Sequence, residues 1–169
     1  GGSFENRTRL LLETADAIRS VWPGHLPLVV RISASDWMEG GWDIDQSVAL
    51  ANLLKDHGID LVDCSSGGIS STAKIATGPG YQVPFAAQVR KEAAIPTAAV
   101  GMITQPDQAD RIIRSGQADL VLLAREMLRD PYWPLHAANQ LQAEVPWPPQ
   151  YLRAVHRATA PRQPLKSSF

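Results

Sequence analysis

The 169 residues are enough for one domain with a core, and 44% hydrophobic with 20% charged residues is the balance of a globular protein. A net charge of −1 offers no basic field to a nucleic acid, and no apolar run approaches the ~20 residues that cross a bilayer. The only cysteine, Cys64, rules out an intrachain disulfide, and a reducing cytoplasm is the expected setting.

The chain opens abruptly at Gly1-Gly2-Ser3, as if something preceded it, with neither the basic nor the apolar region of a signal peptide. Ser3 can cap a helix running to about Val21, with Leu10, Leu11, Ala15 and Ile18 on one stripe. Residues 28–33 form a short apolar run suited to a buried parallel strand. A second helix is expected from Asp45 to His57, stopped by Gly58, and a strand from Ile59 to Cys64. A glycine-rich loop, 65–83, leads to a helix opened by Pro84 and ending near Ala94. Pro96 to Gly101 is a third strand. A helix capped by Thr104 ends at Gly116, and Ala118 to Ala124 is a fourth strand. A last helix is expected from Tyr132 to Ala143. From Val145 the chain is rich in Pro, Arg and Gln and reads as an extended arm, giving a division into 1–144 and 145–169.

Alternating strands and helices imply a parallel sheet with right-handed crossovers, and Gly58–Val62 is echoed by Gly116–Val121. The units have the size found in a (βα)8 barrel, which takes ~250 residues, so four of them make half a barrel. Such a half leaves two sheet edges and one face open, to be covered by a complement or a second copy. A flavodoxin-like domain is the rival, but it requires a fifth strand and helices on both faces.

In a parallel barrel the chemistry sits at the strand C-termini. Arg31 and Ser33, Ser65 and Ser66, Val100 and Gly101, and Ala124 and Arg125 occupy those ends. Two arginines and a glycine on one rim suit an anion: Gly101 admits close backbone approach and Arg125 can bind phosphate oxygens bidentately. Each has a plainer reading. Arg31 can pair with an acid, Arg125 with Glu126 or Asp130, and the serines can be loop residues. Cys64 reads as a buried small hydrophobe. The four histidines lack metal-ligand spacing, so no metal is expected.

Seven segments in order resemble one family. Gly1-Gly2-Ser3-Phe4-Glu5-Asn6-Arg7-Thr8-Arg9 is similar to the Gly-Gly-Ser-x-Glu-Asn-Arg-x-Arg stretch of old yellow enzymes, and Val30–Asp36 to their fifth strand. Pro79–Phe85, Ala98–Thr104, Ala118–Val121, Leu128–Pro131 and Pro146–Arg153 resemble the thermophilic-like branch. The family is a (βα)8 barrel in which FMN, reduced by NADPH or NADH, passes hydride to an activated alkene. The resemblance implies that Arg31 stabilises the reduced flavin and that Val100, Gly101, Ala124 and Arg125 hold its phosphate. Ala124 departs from the glycine often found there. Arg153 is implied to reach a neighbouring subunit's substrate pocket through a homodimer or larger oligomer. The family's proton-donating Tyr and substrate-anchoring His pair precede the Gly-Gly-Ser motif, so no catalytic residue is expected in this half. The sequence therefore points to the C-terminal half of a flavin ene-reductase, active only with an N-terminal half. A non-catalytic phosphate- or FMN-binding half-barrel, and half of another FMN barrel oxidoreductase, are the alternatives.

Overall fold

A computed structural model describes residues 1–155. In chain order the elements are α1 (Phe4–Arg19), β1 (Val29–Ser33), α2 (Ile44–Asp56), β2 (Leu61–Ser65), α3 (Val83–Ala93), β3 (Thr97–Val100), α4 (Pro106–Arg114), β4 (Leu120–Leu122), α5 (Arg125–Arg129) and α6 (Trp133–Gln140), then a 3-10 turn at Pro149–Ala154. The chain divides into two units. The first is Gly1–Thr104 with Gln108–Leu123, and the second is Gln105–Asp107 with the chain from Ala124 onward.

In the first unit the strands make one parallel sheet in the order β1-β2-β3-β4. Strand side chains alternate between faces, and the two faces differ sharply. Ile32, Val62, Cys64 and Ala99 are buried on one, where the Thr97 hydroxyl donates to the Ala86 carbonyl of α3 at 3.2 Å. Burial there pushes the Cys64 thiol up to about 12, so it packs as a hydrophobe. The other face carries Val29 and Arg31, then Asp63, Ala98 and Leu120, in register across the strands. It is open at its two edge strands, where Val29 is 49% and Leu120 51% exposed, while Asp63 and Ala98 between them are 5% and 1%. A sheet with helices on one face and two unpaired edges is the expected half-barrel.

The repeat seen in the sequence is a repeated structural device at the strand N-termini. Gly58 and Gly116 both turn with positive φ, 72° and 71°, to end α2 and α4. Two residues later on, Asp60 accepts from the Leu28 backbone N–H at 2.7 Å. Asp119, three after its glycine, accepts from that of Thr97 at 2.9 Å. Arg19 of α1 then pairs with Asp60 and donates to the Gly58 carbonyl, as Arg90 of α3 pairs with Asp119 and donates to that of Gly116. Each helix is thereby tied to the start of a strand by a charged group with several partners.

Several expectations are corrected. The buried side of α1 runs through Thr8 and Ala15, while Leu10 and Ile18 are exposed. Two overlapping stripes have the same period, and Thr8 fits the seam because its hydroxyl is satisfied by the Phe4 carbonyl at 3.0 Å. Strand β4 is shorter than expected, and the good helix formers after it make α5, which the sequence reading missed. Pro131 then separates α5 from α6. Helix α6 stops at Gln140, before a left-handed Gln142 (φ 55°). The tail is not extended throughout: Pro149 opens the 3-10 turn, whose preset φ suits a first turn. Tyr151 there lies edge-on to Tyr132, with centroids 6.1 Å apart. His156 and residues 157–169 lie outside the described residues.

Candidate functional site

Neighbouring strands set the register, and the register puts Arg31 of β1 directly beside Asp63 of β2 on the open face. The Arg31 Nη1 donates to Asp63 Oδ2 at 2.8 Å. The partners are unequally placed: the Arg31 side chain is 56% exposed and that of Asp63 8%. Asp63 Oδ1 is buried without a hydrogen-bond partner. Burial raises the Asp63 carboxyl above its ordinary range, against the pull of the Arg31 charge. The sequence reading weighed an acid partner for Arg31 but did not name Asp63. The signal available was an aspartate inside an apolar strand, in the unit after that of Arg31.

Beyond this pair, the strand ends are laced by neutral groups. Trp37, in the loop after β1, is left-handed (φ 58°) and packs edge-on against Phe85. Its indole N–H donates to Ser66 Oγ at 2.9 Å. The Ser66 hydroxyl donates to Gln82 Oε1 at 2.7 Å, and Gln82 Nε2 donates to the Val100 carbonyl at 3.1 Å. One chain of hydrogen bonds therefore joins the loops following β1 and β2 to the end of β3. Gln82 and Trp37 were not picked out from sequence, because their roles depend on which loops meet. Ser66 is a loop residue held in this chain, whereas Ser65, expected in the loop, is the last residue of β2.

Gly101 follows β3 with φ 120°, a conformation open to few side chains, and its carbonyl accepts from the Gly80 N–H at 2.9 Å. A Cβ there would stand 2.9 Å from Gln82 Nε2 and 3.0 Å from the Tyr81 ring. Val100 is half-buried beside it. The loop before α2 is anchored from α1: Phe4 stacks on Trp42 with centroids 5.9 Å apart, and the Arg7 guanidinium sits 5.4 Å from that ring. The Gly-Gly-Ser motif residues therefore brace the rim from outside.

The second unit holds the other expected residues. Ala124 is the N-cap of α5 and Arg125 its first residue, both exposed. Arg129, not Arg125, pairs with Glu126, at 2.6 Å. Arg153 is exposed in the 3-10 turn. Tyr132, Leu135, His136, Trp147, Tyr151 and Ala154 line a pocket of about 250 Å³. Among the described residues there is no group of three or more His, Cys, Asp or Glu able to hold a metal, and no helix long and apolar enough to cross a membrane.

Comparisons with known proteins agree with this geometry. The chain is 51% identical over 154 residues to an NADPH dehydrogenase of Bacillus licheniformis, covering 91% of the chain and 44% of that protein. It is 53% identical over 153 residues to one of Geobacillus sp. strain WCH70, covering 90% and 44%. It thus spans less than half the length of these relatives. Among solved structures, a 6-hydroxypseudooxynicotine amine oxidase from Pseudomonas geniculata N1 superposes with a TM-score of 0.67 at 28% identity, over 83% of this chain and 22% of that one. A histamine dehydrogenase from Rhizobium sp. 4-9 gives 0.69 at 24% identity, over 83% and 21%. Residues 1–144 match the family described as NADH:flavin oxidoreductase / NADH oxidase. The chain belongs to that family, the old yellow enzyme family of FMN- and NAD(P)H-dependent oxidoreductases, and its four βα units are the C-terminal half of a (βα)8 barrel.

Proposed function

We propose that this chain supplies the cofactor-holding half of an FMN-dependent ene-reductase, which takes reducing equivalents from NADPH or NADH and reduces activated C=C bonds such as those of enones. The observation that carries this reading is the Arg31 guanidinium on the open sheet face, held on one edge by Asp63 and exposed on the rest. The remaining N–H groups of Arg31 suit the electron-rich edge of a flavin, where fixed positive charge stabilises added negative charge. FMN, when bound, supplies the hydride chemistry.

The residues present fit that group. The half-exposed cation and the orphaned carboxylate oxygen beside it form a polar centre on the sheet face that no described helix covers. The backbone of Val100 and Gly101 would hold the phosphate, in a strand end fixed by Gln82. Ala124 and Arg125 carry the same proposed role from the sequence resemblance alone. The Trp37–Ser66–Gln82 chain keeps the loops from rearranging as the ligand binds. By the family resemblance, the group that gives a proton to the alkene carbon is proposed to lie in the other four units. They must also cover the sheet, whether they lie in the same polypeptide or another. Arg153 and the tail are proposed to meet a second subunit, closing its substrate pocket.

The test is visible absorbance of the purified protein assembled with its complementary units, followed by NADPH oxidation with an enone as acceptor. Bound flavin and enone-dependent turnover are expected. A colourless assembly would overturn the reading, and bound flavin without enone turnover would confine it to the cofactor.

A further inference from the structure

Three aspartates sit in or beside the strands, and two repay their placement. Asp60 and Asp119 each accept from a backbone N–H and an arginine that also caps a helix-end carbonyl. Asp63 does neither. It is 5% exposed, caps no backbone N–H, leaves Oδ1 unpartnered, and spends its other oxygen on an arginine that solvent could serve. A carboxylate buried at a net loss, beside a group presented to a ligand, has its explanation in that group rather than in the fold.

We propose that Asp63 is a positioning residue for Arg31: it holds one edge of the guanidinium and cancels part of its charge, so that the bound flavin is stabilised in its reduced form only moderately. The inference rests on the FMN reading above. Without Asp63 an undiluted cation would face the flavin and favour the reduced form, leaving it a poorer hydride donor. Register sets the pair: Arg31 and Asp63 are Cα partners on the same face, and the carboxylate meets the guanidinium at Nη1.

The test is an anaerobic titration of the assembled protein that reads the affinity for reduced FMN relative to oxidised FMN. Asp63→Asn keeps the size of the side chain and an acceptor for Arg31 but removes the charge. It is expected to raise that ratio about tenfold. Arg31→Met is expected to lower it, and the double variant, with both charges gone, to return close to the unsubstituted value. A merely structural aspartate would not produce that reversal. An unchanged or lowered ratio in Asp63→Asn would overturn the assignment while leaving FMN binding intact. So would failure of Asp63→Asn to fold, because it would make Asp63 a stability residue. Absence of FMN from the unsubstituted assembly would overturn both this inference and the function on which it rests.

Discussion

The N-terminal end of the sheet and its open face use the same residue types to opposite effect. At the strand N-termini, Arg19 with Asp60 and Arg90 with Asp119 close on each other and on nearby backbone, and each carboxylate has a backbone N–H as well as a guanidinium. In the middle of the strands, on the open face, Arg31 with Asp63 leaves the Arg31 side chain more than half exposed and one carboxylate oxygen unmet. Beyond them the chain adopts positive φ at Trp37, Gly101 and Met102. Satisfied pairs mark the end that holds the units together, and the unsatisfied groups lie on the face where a flavin is proposed to bind.

That contrast can be broken by substitution. The largest effect is expected at Gly101. Alanine there combines a φ of 120° with a Cβ 2.9 Å from Gln82 Nε2, and should destabilise the protein by about 3 kcal/mol. A thermal melt within a degree of the unsubstituted protein would show that the strand end can relax. Next comes Asp119→Ala, which removes the acceptor for both Thr97 N–H and Arg90. Because the pair is partly exposed, its loss is expected to cost about 2 kcal/mol by denaturant unfolding, chiefly through the orphaned backbone N–H.

The smallest effect in stability is the most informative. Asp63→Asn should be neutral or stabilising, by up to about 1 kcal/mol, although it removes a salt bridge. The pH dependence has opposite signs in the two regions. The Leu28 N–H, with Arg19, lowers the Asp60 carboxyl, and Arg90, with the Thr97 N–H, lowers that of Asp119. Their stabilisation is present above the ordinary aspartate range and is lost as pH falls through their lower folded values. Burial raises Asp63, so its ionisation weakens the fold, and that penalty disappears as pH falls through its raised folded value. The advantage of Asp63→Asn over the unsubstituted protein should therefore be present at neutral pH and vanish in acid. An advantage that grows in acid would reverse the assignment.

Much of the scaffold was legible because its signals are local. Ser3, Gly58 and Gly116 sit at helix ends, and the apolar runs around Ile32, Val62 and Ala99 are strands that the helices bury. The half-barrel followed from counting those units. The seam of α1 was misread because Leu10 and Thr8 lie on overlapping stripes, and only packing chooses between them. In the site, Arg31 and Gly101 were visible as unusual residues at strand ends. Asp63, Gln82 and Trp37 were not, since a register partner 32 positions away and a hydrogen-bond chain across two loops and a strand end exist only once the strands are aligned. The 3-10 turn at Pro149 was hidden by a composition that reads equally well as extended chain.

The central claim is that the open face of the sheet holds FMN through Arg31. Its most direct test is the FMN dissociation constant of the protein assembled with its complementary units, measured by quenching of flavin fluorescence, with and without Arg31→Ala. Loss of a charge-assisted hydrogen bond worth about 1.5–3 kcal/mol predicts binding weaker by roughly ten- to a hundredfold. An unchanged dissociation constant would contradict the account, leaving Arg31 as a partner for Asp63 and nothing more.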